Sequence, residues 1–197
     1  MPLTLYPNPY DVFQEWFQLA QKKEAVDPNA MTLATVDEDL QPAARTVLLK
    51  EWDEDGFVFY TNYQSRKAHA INANPKAALL FYWKSLSRQI RIEGAVHRVS
   101  AERSDAYFAT RPRDSQVGAW ASKQSAPMDD RGQLADRIVH YKNEFDGMPI
   151  IPRPEWWGGY CVKPNRMEFW MAGENRLHER AVYIKEGVGW QSQLLYP

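Results

Sequence analysis

Two segments of the sequence combine cations with hydroxyl groups and could bind an anion. The first, residues 45–50, is a β-type run that begins with Arg45 and ends with Lys50. Taken alone, it is better explained as a strand whose charged ends reach solvent. The second contains Tyr60, Thr61, Ser65, Arg66 and Lys67, at a predicted strand end and helix start. Cations and free helix N–H groups suit a phosphate dianion, although a solvated basic turn explains this segment equally well.

Two later segments carry stronger binding signatures. The third surrounds Trp120 with cations, amides and hydroxyl groups, namely Arg111, Arg113, Ser115, Lys123, Gln124 and Ser125. A purely structural loop would not need this concentration, so we expect it to bind a second phosphate or a carbonyl-rich ring. In the fourth, Arg176, His178 and Arg180 alternate after a glycine turn and would project to one side of an extended chain. Flanking positive charges would favour a neutral imidazole at pH 7, which makes this segment a candidate site.

Several common classes of site have no support in the sequence. There is no glycine-rich dinucleotide fingerprint, no Walker loop and no nucleophile elbow, and the four histidines lack metal-ligand spacing. The single cysteine, Cys161, excludes an internal disulfide and a four-thiolate centre. We therefore expect no metal. A net charge of -1 provides no continuous basic track, so nucleic-acid binding is a weak alternative.

Length and composition favour one folded domain that spans residues 1–197. Hydrophobic residues make up 44% and charged residues 25% of the chain, which is ordinary globular usage. No apolar run is long enough to cross a membrane, and the N-terminus lacks the pattern of a signal peptide. We expect a cytoplasmic protein without a membrane segment, and the lone cysteine fits a reducing compartment.

The elements that must position these segments are mostly strands. Asn8 and Pro9 predict the start of a helix over about residues 9–25. Three strands of a meander and a short helix follow, at 31–36, 44–52, 57–61 and 65–74, and then two strands at 77–83 and 88–99. Three helices are predicted to begin after Ser100, after a cap at Asp114 and near residue 130. Four more strands are predicted at 157–163, 166–171, 180–186 and 190–196. This order favours an α+β fold, a barrel with helices attached outside.

The four segments together resemble the pyridoxine/pyridoxamine 5'-phosphate oxidase family. The matching motifs are RTVLLK, FYTNYQSRKAHAI, RPRDSQVGAWASKQS and EFWMAGENRLHER, and the likeness runs from about Asn8 to Pro197. The resemblance implies a homodimer of FMN-binding split β-barrels with peripheral helices, in which each site draws residues from both chains. The C-terminal strands, about residues 155–197, would serve dimerisation and the active site.

The resemblance also assigns roles to individual residues. Arg66 and Lys67 would hold the flavin phosphate, and Arg176 and His178 would lie against the reacting carbon as the catalytic pair. Substrate would be bound by Lys50, Tyr107, Arg111, Ser115, Arg176 and His178. FMN would contact Arg45, Thr46, Val47, Leu48, Leu49, Lys50, Tyr60, Thr61, Ser65, Arg66, Lys67, Gln89, Gln124, Ser125, Trp170 and Arg180.

The implied reaction is a two-electron oxidation at C4' of pyridoxamine or pyridoxine 5'-phosphate. Hydride would pass to flavin N5, and O2 would reoxidise the flavin with release of hydrogen peroxide. The flavin supplies the redox chemistry. The protein would contribute orientation, by clamping the substrate phosphate, and electrostatic stabilisation.

Three departures from the family pattern leave two alternatives open. Met171 stands where the family usually has a polar residue, Leu194 stands where an arginine is common, and the chain starts almost directly at the first helix. These differences imply altered affinity, rate or closure over the substrate. One alternative is a split-barrel flavoprotein with another substrate, against which Arg111, Ser115, Arg176 and His178 argue. The other is a non-catalytic binder of pyridoxal phosphate or flavin.

Overall fold

The computed structural model describes residues 3–197. Within that range the helices are α1 (Pro9–Lys23), α2 (Arg66–Ala73), α3 (Ala101–Ala109), α4 (Arg113–Ala121) and α5 (Arg131–Glu144). The strands are β1 (Ala30–Val36), β2 (Pro42–Leu48), β3 (Glu51–Asp53), β4 (Gly56–Asn62), β5 (Lys76–Trp83), β6 (Arg88–Arg98), β7 (Trp157–Met171), β8 (Glu179–Glu186) and β9 (Gly189–Leu195). All strand pairs are antiparallel, in the order β2-β1-β5-β6-β7-β4-β3, and β8 and β9 extend from β7.

A bent connection between β2 and β3 closes the sheet into a barrel. β2 pairs with β1 and β3 pairs with β4, so the two ends of the strand order are adjacent in sequence. At the bend, the Leu49 N–H donates to the Asn29 carbonyl (2.8 Å) and the Lys50 N–H donates to the Val58 carbonyl (2.9 Å). The predicted single strand at 44–52 is therefore two strands. The order of the predicted meander holds across the bend, because residues 42–48 pair with β1 and residues 51–53 pair with β4.

β7 is one long strand that joins the barrel to the C-terminal hairpin. Its first half pairs with β4, its second half with β8, and β6 lies beside both halves. The sequence predicted two strands separated by a loop at Pro164 and Asn165. A β-bulge accommodates these residues instead, because Glu93 pairs with Arg166 and Gly94 pairs with Pro164. A Cβ at Gly94 would collide with the Lys163 carbonyl, so the bulge requires glycine.

α1 covers the barrel with its apolar face. Asn8 caps the helix by accepting from the Tyr10 N–H, as predicted, and the helix ends at Lys23, two residues earlier than predicted. The fully buried Phe13 ring meets Phe57 and Phe81 edge-on, with centroids 4.9 and 5.5 Å away. Each such buried aromatic side chain stabilises the fold by about 1.5–3 kcal/mol. None of the helices in the described part of the chain is both long and apolar enough to span a membrane.

Helices α3 to α5 form an insertion with a second, smaller core around Phe108, Val117 and Trp157. Ser100 caps α3 and Asp130 caps α5. The predicted cap of α4 at Asp114 is wrong: Pro112 holds the cap position and the helix begins at Arg113, two residues earlier than predicted. Asp114 lies in the first turn, where a negative charge is favoured by the helix dipole. The predicted α+β barrel with helices outside is confirmed.

Candidate active site

A cavity of about 660 Å³ lies where the barrel meets the helical insertion. Its wall contains residues from the first three sequence segments, although Thr46 and Gln124 are 78 positions apart in the chain. The predicted site residues on its wall are Thr46, Val47, Leu48, Lys50, Tyr60, Thr61, Lys67, Tyr107, Arg111, Ser115 and Gln124. The cavity is large enough for a cofactor or substrate of ordinary size.

The wall of this cavity is positively charged. Lys50, Lys67 and Arg111 line it, and no carboxylate side chain does so among the described residues. Nor does any of these three cations form an ion pair with a carboxylate within residues 3–197. Three unpaired cations in one concave site attract an anionic ligand.

Lys67 is held by neutral oxygen atoms. Its ammonium donates to the Gln124 amide oxygen (3.0 Å), to the Thr61 hydroxyl (3.2 Å) and to the Ser65 hydroxyl (3.3 Å). Burial, and next the nearby Arg45 guanidinium, lower the pKa of Lys67. Because these contacts leave the positive charge without a counter-ion, a phosphate here would recover the free energy lost to desolvation.

Four predicted FMN contacts from the first two segments do not line the cavity itself, namely Arg45, Leu49, Ser65 and Arg66. Ser65 is fully buried at the N-terminus of α2, whereas Arg66 is exposed. Arg45 donates to the Thr35 hydroxyl (2.7 Å), and burial lowers its pKa, as does Arg66. Leu49 points into the core, and both its backbone groups bond to Asn29.

Arg111 places a buried hydrogen-bond donor at the cavity. Its guanidinium lies 4.6 Å from the centre of the Trp157 ring and 5.5 Å from that of Phe108. Its Nη1 is buried and has no hydrogen-bond partner among the described residues. Burial lowers the pKa of Arg111. A buried donor left unsatisfied is costly, so the position fits a strong acceptor such as a phosphate oxygen.

Stacked aromatic rings form one wall of the cavity. Tyr60 lies on Tyr107 with ring centres 4.0 Å apart and on Trp157 at 5.4 Å. The Tyr60 hydroxyl donates to Glu51 Oε1 (2.7 Å), and Arg103 binds the other oxygen of that carboxylate. Burial, followed by the bond to Glu51, raises the pKa of Tyr60, so the phenol stays protonated. This wall has the shape and polarity for a planar ring.

Sequence reasoning missed part of this lining. Trp157 supports Arg111, yet nothing in its sequence context distinguishes it from the other seven tryptophans. The remaining missed residues are Asn62, Thr110, Pro112, Gly118, Ala119 and Ser122. Asn62 lies within the second segment, and Pro112, Gly118, Ala119 and Ser122 lie within the third, so their positions in the sequence could have suggested their involvement.

Three further predicted residues form a row on a different surface. Gln89, Trp170 and Arg180 are register partners across β6, β7 and β8. None of them lines the cavity of the same subunit. Met171, the departure noted in the sequence, faces the other side of β7 and packs against the core, so it is not part of this row. Leu194 is exposed, and Ser125 is exposed with a left-handed φ of 71°.

Arg176 and His178 do not share a strand face with Arg180, which corrects the expected extended geometry. Arg176 lies in a 3-10 turn with a left-handed φ of 63°, and β8 begins only at Glu179. Arg176 is exposed and free to reach a ligand. The His178 ring packs on Trp170 at 4.6 Å, and its Nδ1 accepts the Gly173 N–H (3.3 Å). Because Nδ1 accepts this bond, Nε2 is the ring nitrogen left for a ligand.

Two family models match the chain. One, described as pyridoxamine 5'-phosphate oxidase, matches residues 18–143. The other, described as the pyridoxine 5'-phosphate oxidase C-terminal dimerisation region, matches residues 157–197. The first alone spans more than half of the chain.

Sequence relatives lead to the same family. A pyridoxine/pyridoxamine 5'-phosphate oxidase of Rubrobacter xylanophilus is 55% identical over 191 residues, covering 97% of this chain and 88% of that protein. One of Myxococcus xanthus is 52% identical over 191 residues, covering 97% and 92%.

Solved structures with the same fold include two informative neighbours. PhzG from Burkholderia lata, in complex with tetrahydrophenazine-1-carboxylic acid, superposes with a TM-score of 0.90 at 28% identity and covers 100% of this chain and 99% of that one. A pyridoxamine 5'-phosphate oxidase-related, FMN-binding protein from Nostoc punctiforme has a TM-score of 0.77, with coverage of 98% and 100%. At 18% identity, the second shows the fold alone.

Proposed function

The chain belongs to the pyridoxamine 5'-phosphate oxidase family, and from that membership we propose that it oxidises pyridoxamine 5'-phosphate and pyridoxine 5'-phosphate to pyridoxal 5'-phosphate. FMN would be the cofactor, O2 the electron acceptor and hydrogen peroxide the product. The amine substrate would also release ammonia when the oxidised carbon is hydrolysed. The observation that carries the proposal is the cavity with Lys50, Lys67 and Arg111 on its wall and no carboxylate among its described lining residues.

The Lys67 end of the cavity is suited to the FMN phosphate. Lys67, Thr61, Ser65 and Gln124 already form one hydrogen-bonded group, and the N-terminus of α2 lies beside them. Helix N-termini and charge-assisted donors favour a phosphate dianion. Arg66, exposed at the first position of α2, would close over the phosphate from the solvent side.

The Arg111 end of the cavity is suited to the substrate phosphate. The unpaired Nη1 of Arg111 would donate to a phosphate oxygen. Ser115, Tyr107 and Lys50 line the same cavity and would supply a hydroxyl, a phenol and a second cation. Clamping the phosphate in this way would fix the C4' carbon relative to the flavin, and such orientation contributes several kcal/mol to catalysis.

We propose that the second half of the site comes from a partner subunit. Gln89, Trp170, Arg176, His178 and Arg180 lie outside the cavity of their own chain, and Thr46 and Lys50 of the cavity wall are exposed in the single chain. A symmetric dimer would let the outer face of β6, β7 and β8 cover the open side of a partner's cavity. The matched C-terminal dimerisation region contains β7, β8 and β9.

Within this arrangement, the chain would bind FMN and the substrate, orient them and exclude water from the site. FMN supplies the two-electron redox chemistry when it is bound. Arg176, which is exposed, would approach the substrate ring, and His178 would present Nε2 to the same region. We assign these residues to stabilisation of developing charge rather than to an obligatory proton transfer.

The test is to purify the protein, record its visible spectrum and add pyridoxamine 5'-phosphate under air. We expect a yellow protein that forms about one hydrogen peroxide per pyridoxal 5'-phosphate. A colourless protein that cannot be reconstituted with FMN would refute the proposal. A yellow protein without peroxide formation would support a non-catalytic flavin or pyridoxal phosphate binder.

A second candidate is oxidation of a non-phosphorylated aromatic acid. The structural match to PhzG with a carboxylic acid bound favours it, and the guanidinium of Arg111 can donate hydrogen bonds to a carboxylate. Comparing pyridoxamine with its 5'-phosphate separates the two, because a phosphate-requiring enzyme should oxidise the phosphorylated compound far faster.

A further inference from the structure

We propose that Glu168 is a positioning residue that holds the Arg180 guanidinium in the orientation needed to contact FMN. This inference rests on the proposed function, because it takes Arg180 to be a cofactor ligand. Glu168 lies on β7, two residues before Trp170 and on the same face of the sheet. Trp170 is the register partner of Gln89 and of Arg180.

The Glu168 carboxylate is buried under guanidinium groups. Its side chain is 2% exposed, although it belongs to the outer face of the sheet. Oε1 accepts from Arg180 Nη2 (2.7 Å) and Nε (3.0 Å). Oε2 accepts from Arg166 Nη2 (2.9 Å) and lies 3.5 Å from Arg91 Nη1. Three cations thus converge on one carboxylate.

These contacts restrict Arg180 to one orientation. Besides the two bonds to Glu168, its Nη1 donates to the Tyr196 carbonyl (3.1 Å). A guanidinium has five N–H donors, so two stay available for a ligand, and their directions are set by the other three. The carboxylate on one side and the C-terminal backbone on the other therefore determine where those donors point.

The arrangement differs from the way the cavity cations are held. Lys67 is held by neutral groups and retains its full charge for a phosphate. The charge of Arg180 is instead balanced by Glu168, so this guanidinium is better suited to directional hydrogen bonds with uncharged polar atoms. Ion pairing at a buried carboxylate is also a poor source of stability compared with apolar packing, which favours a positioning role.

Glu93 provides a matched control in the same cluster. Its carboxylate binds Arg91 (2.7 Å) and lies 3.7 Å from Arg166, but it forms no ion pair with Arg180. Glu168→Gln and Glu93→Gln each remove one negative charge from the cluster. Only the first removes the anchor of Arg180.

The experiment titrates apo-protein with FMN and follows quenching of the flavin fluorescence, together with the visible circular dichroism of bound flavin. We expect Glu168→Gln to raise the Kd for FMN about tenfold or more and to alter the dichroism, because the charge-assisted bonds that orient Arg180 are lost. Glu93→Gln should stay within about twofold of the parent protein. Equal Kd values for the two variants would overturn the inference.

A double-mutant cycle separates positioning from a general structural effect. If Glu168 acts through Arg180, the variant with Glu168→Gln and Arg180→Lys should bind FMN no more weakly than Arg180→Lys alone. Additive losses would show that Glu168 acts independently, and would overturn the inference.

Folding and the proposed function have separate controls. Glu168→Gln leaves excess positive charge in the cluster and could therefore fail to fold. In that case Arg91→Gln is added to restore the charge balance. The double variant is then compared with a protein that carries Arg91→Gln alone. A parent protein that binds no FMN overturns both the inference and the proposed function. A parent protein that binds FMN and forms pyridoxal 5'-phosphate, with Kd unaffected by Glu168→Gln, overturns the inference alone.

Discussion

The Lys67 ammonium and the Gln124 amide oxygen lie 3.0 Å apart, although 57 positions separate the two residues. The bond joins the start of α2 to the segment that follows α4. The same amide oxygen accepts the Thr61 hydroxyl (3.0 Å), so residues from the barrel and from the helical insertion meet at one point. The second and third sequence segments, which contain Lys67 and Gln124, are thus parts of one cavity.

Removing both cations at the start of α2 should release FMN. Each charge-assisted bond to phosphate contributes about 1.5–3 kcal/mol, so Arg66→Met with Lys67→Met should raise the Kd for FMN by about 100-fold or more. Lys67→Met alone should have the larger single effect, because Lys67 lines the cavity whereas Arg66 is exposed. Flavin fluorescence titration measures the Kd, with the exposed Lys76→Met as control. Full flavin occupancy in the double variant would show that the phosphate lies elsewhere.

Replacing Arg111 should impair binding of the phosphorylated substrate specifically. We expect Arg111→Gln to raise the KM for pyridoxamine 5'-phosphate about 10- to 100-fold, since a charge-assisted bond to the phosphate is lost. Oxidation of unphosphorylated pyridoxamine should change much less. Peroxide formation is measured at varied substrate concentration, and Arg131→Gln, which changes an exposed cation at the start of α5, serves as control. Equal losses with both substrates would contradict the assignment.

Mixed dimers test whether two subunits share each site. At a pyridoxamine 5'-phosphate concentration near the KM of the parent protein, Arg111→Gln and His178→Ala should each have little activity, and the second should keep its flavin. In a mixed dimer, one site carries both changes and the other carries none, so random mixing should restore about a quarter of the parent activity. The activity is measured after the two variants are unfolded and refolded together. Failure of any activity to return, with dimers formed, would place all these residues in one subunit.

The Cys161 thiol should make stability fall at alkaline pH. Burial raises the pKa of Cys161 to about 11, and its Sγ lies 3.5 Å from the Asp55 carbonyl. The unfolded chain loses this proton at lower pH than the folded chain, so the stabilisation is complete below the unfolded pKa and is lost as pH rises through about 11. Urea unfolding at several pH values should show this loss in the parent protein and less of it in Cys161→Ala.

Native Cys161 should also be chemically inert. Because the thiol is buried and the thiolate is the reactive form, we expect negligible reaction with a disulfide reagent at pH 8 until the protein is unfolded. Rapid reaction of the folded protein would show that the barrel opens at this strand.

Local sequence signals predicted most of the individual elements. Asn8 and Pro9 at α1 and Ser100 at α3 act within one helical turn, so their effect can be recognised from neighbouring residues. Alternation and turn residues likewise located most of the strands. The strand errors occurred at Leu49 and Lys50, and at Pro164 and Asn165, where a strand bends or bulges. There, hydrogen bonds from distant strands override the local pattern.

The sequence by itself determined the chemistry of this protein: cations, hydroxyl groups and a motif that resembles one family. Tertiary structure alone decided which cations remain without a counter-ion. Arg111 and Arg180 cannot be distinguished by residue type. Yet Arg111 packs on Trp157 with a buried Nη1 that has no partner among the described residues, whereas Arg180 is paired with Glu168. The reason is that ion pairing and desolvation depend on distances between side chains far apart in the chain, which only the closed barrel and its helices establish.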